Sequence, residues 1–60
     1  MRYLILQRAI TGDYVPDGGV HVEYDSVDEA YGLASLRFRL DKIPRRVVDT
    51  RWGEVRVALR

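Results

Sequence analysis

One stretch of the chain, residues 26–40, has the pattern of a helix, and the segments on both sides of it have the pattern of strands. Ser26 lies three residues before Glu29, which is the spacing of a capping box. Asp28 and Glu29 fall in the first turn, where negative charge suits the positive end of the helix dipole. Apolar residues at helical spacing predict one buried helix face, formed by Val27, Ala30, Tyr31, Ala34 and Phe38.

The end of this helix is open to two interpretations. A second group of apolar residues lies away from the first face: Leu33, Leu36 and Leu40. Either the helix is apolar on two sides and ends near residues 40–42, or it stops near Ser35 and an extended segment follows. Good helix formers and the absence of a turn residue favour the longer helix, which then ends before Pro44.

The remaining segments predict an antiparallel sheet. Four of them have strand patterns: residues 2–10, 20–24, 45–50 and 54–59. Residues 11–19 are rich in glycine, aspartate and proline, and they predict a loop with Tyr14 and Val15 at an exposed tip. Residues 51–53 predict a hairpin connection in which Gly53 adopts a positive φ. We therefore predict one domain, residues 1–60, of the α+β class: a four-stranded antiparallel sheet (β-β-α-β-β, order 2-1-3-4) with one helix packed on one face.

The strands contain more apolar side chains than one helix can cover. The first strand is apolar on both faces, as in a central strand covered on two sides. Alternation in the second strand places Val20, Val22 and Tyr24 inward, and in the last strand it places Val55, Val57 and Leu59 on one face. Because a helix covers only one side of a sheet, a lone subunit leaves an apolar patch in water, and such patches mark association sites. We expect a homodimer or an obligatory protein partner.

Size and composition limit the protein to a small domain. A chain of 60 residues buries a modest share of its surface, and without cysteine it has neither disulfides nor thiolate metal sites. The apolar run near the N-terminus, residues 3–6, is too short for a signal peptide or a membrane span. We expect a cytoplasmic location and no membrane association.

Catalytic and metal-binding patterns are not found. His21 is the single histidine, and with Glu23 on the outer side of a strand it predicts at most a shared hydrogen bond. Ser26 is better explained as a helix cap than as a nucleophile, and no nucleophile–base set can be assembled. The scattered carboxylates lack ligand spacing. We predict a non-enzymatic protein without a cofactor, a metal or a small-molecule substrate.

Charge is divided between the two halves of the chain. Residues 1–36 carry two arginines against six acids, a net charge of −4, and residues 37–60 carry eight basic residues against three acids, a net charge of +5. The arginine-rich half, with Trp52 between strands, makes nucleic-acid binding the second hypothesis. The nearly neutral total and the absence of a known nucleic-acid-binding motif argue against it.

Protein–protein contact is the function that the composition favours. Tyrosine, tryptophan and arginine are enriched among the residues that dominate binding energy. The divided charge would also orient a partner. The predicted partner-binding residues are Tyr14, Arg45, Arg46, Arg51 and Trp52.

Two segments carry a resemblance to a known group of proteins. Residues 25–34 (DSVDEAYGLA) and 47–55 (VVDTRWGEV) resemble small orphan accessory proteins encoded by phages of actinobacteria. The likeness covers about half of the chain, and its motifs are a helix cap and a hairpin turn; residues 11–19 have no counterpart. The resemblance implies a non-catalytic accessory protein that binds a host or phage protein and modulates or inhibits it, and it assigns no functional residue.

Overall fold

The computed structural model describes all 60 residues and contains five strands and one helix. The elements are β1 (Tyr3–Arg8), β2 (Tyr14–Pro16), a 3-10 turn (Asp17–Gly19), β3 (Glu23–Tyr24), α1 (Val27–Asp41), β4 (Arg45–Asp49) and β5 (Glu54–Leu59). All strand pairs are antiparallel, and the order across the sheet is β2-β1-β4-β5. The predicted α+β class and the predicted position of the first strand between its neighbours are confirmed.

Two short strands lie on one edge of β1: β2 comes from residues 14–16 of the predicted loop, and β3 is residues 23–24, the only part of the predicted second strand that is in the sheet. β2 pairs with residues 6–8 of β1, and β3 pairs with residues 3–4. The chain leaves the sheet between them because Pro16 has no N–H to donate and Gly18 and Gly19 adopt φ values of 71° and 77°. Two expectations are therefore wrong: Tyr14 and Val15 belong to a paired strand, and residues 20–22 lie outside the sheet.

The core lies between α1 and one face of the sheet. Its buried apolar residues are Tyr3, Ile5, Ala30, Ala34 and Val47. The two alanines are fully buried, and their small side chains allow the helix backbone to approach β1 and β4 closely. Tyr31 and Phe38 are only partly covered, so the buried face of the helix is narrower than its apolar pattern predicts.

The ends of α1 follow from local chemistry. The hydroxyl of Ser26 accepts a hydrogen bond from the backbone N–H of Glu29 at 3.1 Å, which confirms the predicted cap. The helix continues to Asp41, so residues 36–40 are helical. It ends at Lys42, whose φ of 62° is left-handed and whose N–H donates to the carbonyl of Phe38 at 2.7 Å.

A β-bulge alters the faces of the last hairpin. Val47 lies opposite Val57, but Val48 lies opposite Val55, so Arg56 is an extra residue on β5. Residues directly opposite each other share a face of the sheet, and Val55 therefore lies with Val48 on the side away from α1. The expectation that Val55, Val57 and Leu59 share one face is wrong, because the bulge reverses the alternation.

Candidate binding surface

No element of the fold covers the side of the sheet opposite α1. Strand pairing places three rows of residues there: Leu4 with Val48 and Val55, Leu6 with Pro16 and Arg46, and Arg8 with Tyr14. We call this side the open face and define it by Leu4, Leu6, Arg8, Tyr14, Pro16, Glu23, Arg46, Val48, Val55 and Ala58.

The centre of the open face is apolar. Leu4, Leu6 and Val48 are half-buried by their neighbours on adjacent strands alone, while Val55 is 45% exposed. They form a continuous band across β1, β4 and β5. β1 is therefore apolar on both faces, although only the face toward α1 is covered within this chain.

One end of the open face is basic and aromatic. The guanidinium carbon of Arg46 lies 3.7 Å from the centroid of the Tyr14 ring, which is a close cation–π contact. Because Arg46 is on β4 and Tyr14 is on β2, this contact crosses over β1 between Leu6 and Arg8. Arg8 is exposed beside it. The contact holds two of the predicted partner-binding residues in a fixed arrangement.

The other end of the open face is acidic. Glu23 lies opposite Leu4, and its carboxylate is 2.7 Å from Nε2 of His21 and accepts a hydrogen bond from the hydroxyl of Thr50 at 3.3 Å. The hydrogen bond with His21 is the main reason that the pKa of Glu23 lies below its usual value. Glu23 therefore carries its negative charge at neutral pH.

The turn between β4 and β5 adjoins this acidic end. Thr50 precedes the turn, and Trp52 within it is 69% exposed, with Arg51 exposed beside it. The turn is held by Asp49, which accepts a hydrogen bond from the backbone N–H of Arg51 at 3.0 Å. Arg51 and Trp52 are therefore close to each other but lie at the opposite end of the sheet from Tyr14 and Arg46.

The fifth predicted residue, Arg45, is an internal group of the fold. Its side chain points to the face that α1 covers and is 5% exposed. Its Nε donates to Oδ1 of Asp17 at 2.9 Å, and its Nη1 and Nη2 donate to the two carboxylate oxygens of Asp41 at 2.7 and 2.8 Å. The expectation that Arg45 contacts a partner is wrong, because its guanidinium is buried and is hydrogen-bonded to two carboxylates of its own chain.

The ion-pair cluster around Arg45 consists of Asp17, Arg37, Asp41 and Arg45; the side chains of Asp17 and Arg45 are buried, whereas those of Arg37 and Asp41 are 42% and 38% exposed. Arg37 donates a second ionic hydrogen bond to Asp17, whose side chain is also 5% exposed. The hydrogen bonds from Arg45 are the main cause that lowers the pKa of Asp41 to about 2, and those carboxylates raise the pKa of Arg45. The cluster attaches the 3-10 turn to α1 and β4.

A cleft of about 440 Å³ lies beside this cluster, between the 3-10 turn, β1 and the C-terminal half of α1. Val20 and Val22 border the cleft and are 62% and 45% exposed, so the prediction that they point into the core is wrong. The charged groups of the cleft are paired with one another, and no buried side-chain polar atom lacks a partner.

The ends of the open face include two residues that sequence reasoning did not select, Arg8 and Glu23. Alternation along β1 places Arg8 on the same side as Leu4 and Leu6, and this signal was available in the sequence. Glu23 joins them only through the pairing of β3 with β1, which no local pattern specifies.

The structure contains no helix with the length and apolar character needed to cross a membrane. It also contains no group of three or more histidine, aspartate or glutamate side chains that could hold a metal ion. No protein-family model matches the chain, and no curated protein and no solved structure is detectably similar to it.

Proposed function

We propose that the protein is a small, non-enzymatic binding protein of the cytoplasm that acts through protein–protein contact made by the open face. The observation that carries the proposal is the apolar band of Leu4, Leu6, Val48 and Val55, which the fold leaves without cover. Burying such a band against another protein removes apolar surface from water, and this is the main favourable term in protein association.

Specific groups at both ends of the band would orient the partner. The Tyr14–Arg46 pair presents an aromatic ring and a guanidinium in contact with each other. Beyond the acidic end, Arg51 and Trp52 present a second guanidinium and a second aromatic ring. Such residues dominate the energy of many interfaces. The resemblance to phage accessory proteins extends the proposal to a host protein whose activity the contact modulates or inhibits.

Affinity capture with matched variants tests the proposal. A tagged chain is produced together with an untagged copy. The tagged chain is then captured with and without nuclease treatment, and the proteins that it retains are identified by mass spectrometry. Val55→Lys places a charge on the open face, and Leu36→Lys is its control, because Leu36 is similarly exposed (48% against 45%) but lies on α1. We expect a nuclease-resistant protein partner that the wild type and L36K retain and V55K loses.

Two results contradict the proposal. Capture that disappears on nuclease treatment supports nucleic-acid binding by Arg8, Arg46 and Arg51. The affinity for nucleic acid should then fall steeply with salt. Capture that V55K and L36K retain equally excludes the open face as the contact surface. Circular dichroism of both variants establishes that they are folded.

A further inference from the structure

The open face carries two positive charges that its own chain does not neutralise. Arg8 is exposed and Arg46 is half-buried, and neither forms an ion pair with a carboxylate of the chain. The only carboxylate on this face, that of Glu23, already has His21 and Thr50 as hydrogen-bond partners. The unpaired charge of the open face is therefore positive.

The two arginines lie at the same end of the face. Arg8 is opposite Tyr14 in the pairing of β1 with β2, and the guanidinium of Arg46 reaches over β1 to the ring of the same tyrosine. The cation–π contact thus holds a second positive charge near Arg8. Like charges that are held near each other repel, and a bound anion relieves this repulsion. We call Arg8, Tyr14 and Arg46 the basic end.

The basic end adjoins the apolar band. Leu6 and Leu4 lie two and four residues before Arg8 on the same face of β1. At about 3.3 Å per residue, they are about 7 Å and about 13 Å from it along the strand. A partner that covers the whole face must therefore place apolar side chains over the leucines and negative groups one to two helical turns away.

From this charge pattern we infer that the partner of the open face is an acidic protein segment, whose apolar side chains cover the band and whose carboxylates bind Arg8 and Arg46. This identification rests on the proposed function, since it gives the chemistry of the protein that the open face contacts. Arginine suits the role because its guanidinium presents several N–H donors to the two oxygens of a carboxylate.

The open face matches a protein segment better than a nucleic-acid strand, although both carry negative charge. Phosphates and sugars are polar, so a bound strand would leave the apolar band without cover. The only aromatic side chain of this face is Tyr14, and the guanidinium of Arg46 already lies over its ring. Less of the ring is therefore available to stack on a base.

Titration with three synthetic peptides tests the inference. The peptides are blocked at both ends and share a helical stripe of leucines at i, i+3, i+4 and i+7; the turns that follow the stripe carry glutamate, glutamine or lysine. NMR spectra of the isotope-labelled protein give the Kd and the residues affected. At low salt we expect the glutamate peptide to shift the amide signals of Leu6, Arg8 and Arg46. Its Kd should be about threefold below that of the glutamine peptide and about tenfold below that of the lysine peptide.

Charge reversal at Arg8 supplies the matched variant. R8E should raise the Kd of the glutamate peptide about tenfold and lower that of the lysine peptide. R39E makes the same change on an exposed residue of α1 and should leave both values within about twofold of the wild type. A reversed preference between the peptides cannot arise from loss of folding. If R8E does not fold, R8Q removes the charge alone and should raise the Kd of the glutamate peptide about threefold.

Several results overturn an acidic protein segment as the occupant. These are equal Kd values for the three peptides, equal effects of R8E and R39E, and the absence of shifts on the open face with every peptide at millimolar concentration. Shifts that depend on protein concentration without peptide would make a second copy the occupant. An oligothymidine that shifts the same signals with a lower Kd than the glutamate peptide, at the same salt, would make it a nucleic acid.

The proposed function is tested separately by capture. A captured protein that V55K loses and L36K retains, together with equal binding of the three peptides, would exclude only the acidic character of the partner. Preference for the oligothymidine, or equal capture by V55K and L36K, would overturn the proposed function as well.

Discussion

Lys42 ends α1 in a backbone conformation that costs an L-amino acid free energy. Its φ of 62° is in the left-handed region, where glycine is the preferred residue of a helix C-terminus. The side chain recovers part of this cost, because its Nζ lies 5.9 Å from the centroid of the Phe38 ring.

We expect Lys42→Gly to raise the free energy of unfolding by up to about 1 kcal/mol, since removing the Cβ relieves the strain while added freedom of the unfolded chain offsets part of the gain. Urea denaturation measures the change. Lys42→Ala keeps the Cβ but removes the ammonium group, and it should be no more stable than the wild type. A glycine variant less stable than the wild type would show that the lost contact with Phe38 and the added freedom of the unfolded chain together outweigh the relieved strain.

Single residues differ in how well the sequence predicts their roles. The cap at Ser26 was predictable because donor and acceptor lie three positions apart, and the interaction depends only on local geometry. The burial of Arg45 was not predictable, because arginine is rarely buried and its carboxylate partners reach it from the 3-10 turn and the helix end. A charged residue on a strand predicts a solvated position unless the tertiary fold supplies partners for it.

At the scale of elements, the ion-pair cluster attaches the 3-10 turn, residues 17–19, to α1 and β4 through Asp17. β2 and β3 are short, and the segment between them contacts the body of the fold through Asp17 and through the N–H of Gly18, which donates to Oε1 of Gln7 at 2.8 Å. Removing one member of a buried pair leaves the other charge without compensation, and this costs more than the pair contributes when intact.

We expect Arg45→Met to lower the free energy of unfolding by about 3 kcal/mol, because it leaves the buried carboxylate of Asp17 with Arg37 alone. Arg46→Met is the matched control: it makes the same change one residue later, on the open face. It loses chiefly the contact with Tyr14 and should cost about 1 kcal/mol or less. Chemical denaturation compares the two variants, and equal losses would contradict an internal role for Arg45.

The sequence pattern alone could not predict how the strands pair. Helix and hairpin positions follow from runs of residues that are adjacent in sequence. The bulge at Arg56 and the separate pairing of β2 and β3 depend on which residue of one strand lies opposite which residue of another. A single extra residue reverses every side chain after it, so the face of Val55 could not be read from alternation.

At the scale of the whole molecule, paired carboxylates make stability depend on pH. Asp41, Asp49 and Glu23 each have a pKa below the usual value, lowered chiefly by hydrogen bonds to Arg45, Arg2 and His21 respectively. A group whose folded pKa is depressed contributes stability that is fully present above its unfolded pKa and is lost as the pH falls through its folded pKa.

We expect the melting temperature to change little between pH 7 and about pH 5 and to fall between about pH 4 and pH 2, because the pKa of Asp41 is about 2 in the folded chain. Thermal unfolding followed by circular dichroism measures the profile. Asp41→Asn removes one of the titrating groups, so its melting temperature should fall less than that of the wild type over the same acid range. An equal fall in both would assign the acid sensitivity to other carboxylates.

The architecture of the whole molecule was predictable because few topologies satisfy the order of its elements. With one helix between two pairs of strand-like segments, the crossover places the third predicted strand beside the first. The candidate binding surface was only partly predictable from the sequence. The apolar pattern of β1 predicted an uncovered face, but the charged ends of that face depend on the pairing of β3 and on the Tyr14–Arg46 contact.

The pairing of β1 with β4 joins parts of the chain that are made at different times. Ile5 of the earliest strand lies opposite Val47, so on the ribosome this strand must wait for most of the domain to be synthesised before it gains its second neighbour. Contacts of such long sequence separation slow folding and expose unpaired backbone in the meantime. Until β4 pairs with it, β1 therefore presents an unpaired backbone edge, and the chain should be most prone to misassociate at that stage of folding.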